Sequence, residues 1–234
     1  TVFTSAFHLT PSILELLRRR PPFSIEVTMN ATKARVYDKI AGVQGAFGRV
    51  KKNLAALEAA KLPVKMKMQL TRQTLAELPA VRRFAHDRGW AFEASSQLYP
   101  RLNGDPAPCA LRVPASLIKS RRSFARKEGC GVLFGCAALS GDGFYIDPSG
   151  NLFLCPLIRT ERVSLLKWDV SSAVKTARRA FASLRFSQDA ACASCAHLHD
   201  DCAWCPGQAF LEAGDPQARL PYYCLSVGKK DKNG

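Results

Sequence analysis

Eight of the nine cysteines run in a series whose spacing could do chemistry: Cys130-x5-Cys136-x18-Cys155-x36-Cys192-x2-Cys195-x6-Cys202-x2-Cys205-x18-Cys224. The ninth, Cys109, stands alone upstream, and no cysteine precedes it. Four thiols packed between Cys192 and Cys205 either oxidise in pairs or bind metal. Disulfides need an oxidising compartment. The opening residues, TVFTSAFHLT, carry neither the basic flank nor the long apolar stretch of an export signal. A reducing, cytoplasmic setting is expected, where clustered cysteines read as thiolate ligands.

Zinc and 4Fe–4S clusters both accept four thiolates. A zinc ribbon separates its two C-x2-C knuckles by about 15–20 residues, whereas the gap between Cys195 and Cys202 is six. That spacing favours two knuckles that divide their ligands between two sites, completed by Cys224 and the upstream cysteines. His197 and His199 lie inside the run. With eight thiolates at hand they read as loop residues or as hydrogen-bond donors to the ligands. Cys109 reads as a lone buried thiol.

The elements that must position these residues differ between the two halves. FSIEVTM (23–29), LPVKMKMQL (62–70) and WAFEAS (90–95) alternate with strand period. Between them lie AFGRVKKNLAALEAAK, with Phe47, Val50, Leu54 and Leu57 on one face, and a segment with Leu75, Leu78, Val81 and Phe84 inward. Thr74 and Glu77 have the spacing of a capping box. TVFTS followed by Thr10-Pro11 and SILELLRRR reads as a strand end and an N-capped helix with proline at its first position. Strand–helix–strand at this rhythm predicts parallel strands with crossover helices. About four such units are visible, either half of an eight-unit barrel or a small open sheet. Lys65, Lys67 and Gln69 share one face of their strand and Val64, Met66 and Met68 the other; one of the two faces must line the barrel interior.

After Pro100 the texture becomes turn-rich. GFYIDPSGNLFLCP predicts a hairpin, with Phe144 and Ile146 on one arm, Leu152 and Leu154 on the other, and Asp147-Pro148-Ser149-Gly150 as the turn. Residues 175–185 are expected to be helical. A boundary near residues 105–125 gives domains 1–115 and 116–234, the second a small cysteine-rich α+β domain held together by its metal sites.

The formal net charge of +15 raises nucleic acid as a partner. The basic residues are scattered, at Arg18–Arg20, Lys51–Lys52, Lys119–Arg122, Arg178–Arg179 and Lys229–Lys230, and no aromatic residues interleave with them. This argues against nucleic acid and for a solvated surface or an acidic partner. No apolar run is long enough to span a membrane. One reading from these residues alone is a basic module with two four-cysteine zinc sites that grips nucleic acid or an acidic protein.

The order Cys136-x13-Gly150-x4-Cys155, then C-x2-C-x6-C-x2-C, then Cys224 resembles the SPASM domain of radical S-adenosylmethionine (SAM) enzymes. The family's middle run is x5 and x3 where this chain has x6 and x2. Upstream, VTMNATKARVYDKIAGVQGAF, LPVKMKMQLTRQTLAEL and LYPRLNGDPAP are similar to the later β/α units of radical SAM peptide maturases. The resemblance implies an α/β chain: part of a (β/α) barrel followed by a SPASM domain with two auxiliary 4Fe–4S clusters. Carried over by position, Cys130, Cys136, Cys155 and Cys205 hold the first cluster. Cys192, Cys195, Cys202 and Cys224 hold the second. It further implies an oxidoreductase acting on a peptide or protein, with SAM, a third cluster, and a reducing partner such as a flavodoxin or ferredoxin. Thr28 and Asn30, at a strand end, are the candidates to approach the SAM ribose. The third cluster needs a C-x3-C-x2-C loop, and these 234 residues contain none. Truncation upstream, a split enzyme and a degenerate homologue all account for this, and the start at Thr1 within a strand favours truncation.

Overall fold

The computed structural model of the chain describes residues 1–117, 143–182, 190, 192–198, 202 and 204–227. It divides into two units, Thr1–Gln97 with Leu111–Val113, and Leu98–Ala110 with Pro114–Gly234.

In the first unit the alternating segments form four strands: β1 (Val2–Thr4), β2 (Ile25–Thr28), β3 (Val64–Gln69) and β4 (Ala91–Ser95). They pair in parallel in the order β1-β2-β3-β4. Parallel neighbours need crossovers, and these are helical: α1 (Pro11–Arg19), α2 (Ala34–Ala41) with α3 (Ala46–Ala59), and α4 (Leu78–His86). Ile25, Val27, Val64, Met66 and Met68 point to the face where Val50, Leu54, Leu57, Val81 and Ala85 pack, and all are buried. The Val64/Met66/Met68 face therefore packs on the helices, and Lys65, Lys67 and Gln69 line the opposite face.

Local signals start and stop these helices. Thr10 accepts a hydrogen bond from the Ile13 amide through Oγ1 at 3.3 Å, with Pro11 at the first position and Arg18 and Arg19 in the last turn. Asp38 accepts from the amides of Gly45 (2.7 Å) and Phe47 (2.8 Å), placing a carboxylate at the start of α3. Helix α2 was not anticipated. It is two turns long, buries Tyr37 alone, and ends at Gly42 in the left-handed region (φ +67°).

The expected capping box at Thr74 and Glu77 is not formed. The segment opens as a 3-10 turn (Leu75–Glu77), so Glu77 sits at the N-cap of α4 and cannot reach back as a third-position residue. Thr74 instead accepts from the Thr71 amide (2.8 Å) and donates to the Gln69 carbonyl (2.8 Å). Glu77 is 4% exposed and accepts from the Thr32 amide (3.1 Å) and hydroxyl (3.3 Å), with Lys33 Nζ at 3.3 Å. It ties the loop after β2 to the start of α4.

In the second unit the predicted hairpin forms as β5 (Tyr145–Ile146) and β6 (Asn151–Phe153), with Ile146 opposite Leu152. Asp147 closes the turn by accepting from the Ser149 and Asn151 amides, both at 2.9 Å. The two arms differ: Leu152 and Leu154 are buried, whereas Phe144 and Ile146 are exposed. A third strand, β7 (Val163–Ser164), pairs with β6. Helix α5 (Val170–Ala182) begins five residues before the expected start because Asp169 caps it, accepting from the Ser172 amide at 3.0 Å; residues 183–185 of the expectation lie outside the described residues. Helices α6 (Pro206–Ala213) and α7 (Pro221–Ser226) follow. Among the described residues no helix is long and apolar enough to cross a membrane.

Candidate metal centre

The hairpin delivers Cys155. It follows the buried run Leu152–Leu154 at the end of β6, is itself buried, and its sulfur accepts from the Leu157 amide at 3.4 Å. Cys205 occupies the N-cap of α6, with extended backbone and Pro206 at the first helical position. The Gly207 and Gln208 amides, free of intrahelical partners at a helix start, point at its sulfur. Burial raises the Cys205 thiol above its usual range; those two amides oppose the rise, and the nearby Cys155 adds to it. Gly207 allows the approach: a Cβ there would lie 2.8 Å from Leu157 Cβ and 3.3 Å from the Cys155 sulfur.

The second group is built on successive turns. Ala193 donates to Ala190, Cys195 to Cys192, Leu198 to Cys195, and Cys202 to His197. Helix α7 brings in Cys224, whose sulfur accepts from Arg219 Nε at 3.2 Å. The Cys192 thiol is pushed up to about 11, first by burial and then by Cys224, Cys202 and Cys195, while Arg219 opposes the rise. Trp204 packs against Cys192 and is pinned by its indole N–H to the Ala218 carbonyl at 2.9 Å.

Among the described cysteines, Cys155 lies near Cys205, and Cys195, Cys202 and Cys224 lie near Cys192. Cys130 and Cys136 lie outside the described residues, as does His199. Among the described residues no three His, Cys, Asp or Glu side chains converge closely enough to hold a single ion. The donor chemistry suits a larger, positively charged guest. A thiol becomes a thiolate ligand when a metal supplies the compensating charge, and a four-iron cluster spreads its ligands wider than one ion does. Backbone amides and Arg219 aimed at sulfur are the contacts that tune such clusters.

Cys109 is half-buried, not buried, in a 3-10 turn (Ala107–Leu111), and His197 is half-buried in the turn after Cys195. Thr28 is exposed at the end of β2 on the lysine-bearing face. Asn30 has its side-chain oxygen committed to the Gln69 amide at 2.9 Å.

Sequence reasoning missed an ionic network on that face. Lys67 Nζ lies 2.8 Å from Glu26 and 3.7 Å from Glu93, and Lys65 donates to Glu93. The hydrogen bond to Glu26 raises the Lys67 ammonium, and the one from Lys65 lowers the Glu93 carboxyl. The signal was the opposite charge at matching strand positions, legible only once the register Lys67–Glu93 is known. Glu77 and Gly207 were likewise missed as positioning residues.

No protein-family model matches the chain. An AdoMet-dependent heme synthase of Methanosarcina barkeri is 22% identical over 271 residues, covering 97% of this chain and 74% of the relative. Among solved structures, anSMEcpe with bound AdoMet has a TM-score of 0.62 at 14% identity, covering 96% of this chain and 70% of that one. SuiB of Streptococcus suis bound to S-adenosylmethionine has a TM-score of 0.59 at 15% identity, covering 94% and 58%. The chain is thus similar in sequence to an AdoMet-dependent enzyme, and its α/β fold with a parallel sheet is the fold of these S-adenosylmethionine-bound structures.

Proposed function

We propose that the chain supplies the later β/α units of a radical SAM barrel (1–115) and a SPASM domain (116–234) of an oxidoreductase that modifies a peptide or protein. The observation that carries this is the placement of the described cysteines: a Cβ at Gly207, two residues after Cys205, would lie 3.3 Å from the Cys155 sulfur, while Cys195, Cys202 and Cys224 lie near Cys192. It parallels the interleaved scheme in which Cys205 leaves its neighbours to join Cys155. In that scheme Cys192, Cys195, Cys202 and Cys224 hold one auxiliary 4Fe–4S cluster, and Cys155 and Cys205 hold the other with Cys130 and Cys136. Such clusters, when bound, move single electrons to or from the substrate. The chain's own residues hold and tune them: the Leu157, Gly207 and Gln208 amides and Arg219 soften the negative charge on sulfur. Thr28, at the strand end, faces the SAM ribose. A flavodoxin or ferredoxin supplies electrons in a reducing cytoplasmic setting. Two solved structures of one neighbour, anSMEcpe, carry peptides, Kp18Cys and Cp18Cys, which supports a peptide substrate here. Because these residues contain no C-x3-C-x2-C loop, the chain by itself forms no 5′-deoxyadenosine from SAM.

The test is iron and sulfide quantitation after anaerobic reconstitution. About eight of each per chain are expected. Cys195→Ala and Cys205→Ala each remove about half of the iron, and Cys109→Ser leaves it unchanged. Two zincs and no sulfide would mean a zinc module and overturn the reading.

A further inference from the structure

A cleft of about 370 Å³ in the second unit is lined by Leu102, Leu157, Arg159, Thr160, Arg162 and Phe210. Its chemistry is two guanidinium groups and a hydroxyl against three apolar side chains. Arg159 is held in place: Nε donates to the Pro156 carbonyl at 2.9 Å and the guanidinium lies 4.8 Å from the centre of the Phe153 ring. Both contacts orient the group without neutralising it. Among the described residues neither arginine forms an ion pair. Arg162 acts on Asp147 only through space, adding to the lowering that hydrogen bonds from Asn151 and Ser149 produce. Glu161 lies between them in sequence, is exposed, and is not part of the lining.

Two cations in one cleft repel each other, and a carboxylate removes that repulsion while matching the planar donor fork of arginine. The apolar half selects the kind of carboxylate. Leu102, Leu157 and Phe210 would stay wet around a bare inorganic anion but desolvate against an apolar side chain next to the acid. We propose that this cleft binds an acidic residue of a peptide together with an adjacent apolar residue, Arg159 and Arg162 taking the carboxylate and Leu102, Leu157 and Phe210 the apolar neighbour. The net charge of +15 draws such a segment toward the chain. The position matters because Leu157 serves two sites: its side chain walls the cleft and meets Gly207, while its amide donates to Cys155. A peptide in the cleft therefore lies one side chain away from the Cys155 sulfur. The source of the ligand, a substrate peptide, rests on the function proposed above; the recognition chemistry does not.

Isothermal titration calorimetry on the reconstituted full chain tests it, with Ac-Ala-Leu-Glu-Ala-NH2, its Gln counterpart and inorganic phosphate as probes. The Glu peptide is expected to bind about tenfold or more tightly than the Gln peptide, the range of a charge-assisted hydrogen bond. Arg159→Gln with Arg162→Gln abolishes the preference with iron content retained. Both arginines are exposed, and Arg162→Gln alone, which breaks no hydrogen bond among the described residues, serves if the double variant misfolds. Equal binding of the two peptides, a preference that survives the variants, or phosphate that displaces the Glu peptide with equal affinity overturns the proposal. A zinc-loaded chain that prefers the Glu peptide sinks the radical SAM/SPASM reading alone; an iron-loaded chain without the preference sinks this inference alone.

Discussion

Sixteen buried residues of the first unit form one contiguous core, running from Ala6 in the first loop through Met66 in β3 to Ala85 in α4. In the second unit, the described residues form three separate clusters: seven buried residues around Leu152 and Phe181, three around Tyr223, and Cys192 beside Trp204. Each of the three contains or touches a cysteine, Cys155, Cys202 and Cys192 in turn. One contiguous apolar core carries the first unit. In the second, each small apolar cluster sits beside a cysteine, so metal binding at the proposed sites would be coupled to folding.

The contrast breaks most visibly if the metal is removed. Stripping iron from the reconstituted chain should unfold the second unit, because a structural metal contributes on the order of 10 kcal/mol to small domains. Hydrogen exchange followed by mass spectrometry should show protection lost in α6 and α7 but kept at Val27 and Met66. Protection that persists in both units would show that the second has a sufficient core of its own.

The reciprocal experiment is Leu54→Ala, which empties a site 1% exposed in the first core. A loss of about 2–5 kcal/mol in urea unfolding is expected, with iron content unchanged. A fall in iron would mean that the two units do not stabilise independently.

Gly207→Ala probes the close approach of α6 to the Cys155 loop. The added Cβ meets Leu157 Cβ at 2.8 Å, a contact the flexible end of that side chain cannot relieve. Overpacking of this kind costs about 1–3 kcal/mol, and it should appear in the second unit's transition with a fall in iron. An unchanged variant would show that α6 and the Cys155 loop are not held together there.

Smallest is Glu77→Gln in the first unit, about 1 kcal/mol at pH 7, since the amide oxygen can still accept from Thr32. Burial pushes the Glu77 carboxyl up, but the Thr32 amide and Lys33 outweigh it and leave it below its ordinary value. Its contribution is therefore present above the ordinary carboxylate range and lost as pH falls through the lowered folded value. Lys33 is largely exposed and adds little. Urea titrations should show the variant and the parent converging in acid; a gap that widens there would reverse the sign.

Short-range patterns were legible in the residues themselves. Alternation in Val64–Gln69 marks β3, Thr10 with Pro11 marks the start of α1, and Asp147-Pro148-Ser149-Gly150 marks the hairpin, because each signal lies within one turn or one strand. The cysteine spacing announced thiolate chemistry for the same reason. Other features depended on contacts between distant segments. Which face of β3 packs on the helices depends on where the crossover helices lie. Glu77 was drawn away from its capping role by Thr32, forty-five residues upstream. Cys224 enters the Cys192 group only because α7 places it there, and Gly207 matters only because the Cys155 loop crosses it. Arg159 and Arg162 are two more charges in a basic chain until the fold sets them in one cleft with Leu102, Leu157 and Phe210. Periodicity and caps are local properties of the backbone, whereas register, close approach and charge pairing exist only after the chain has packed.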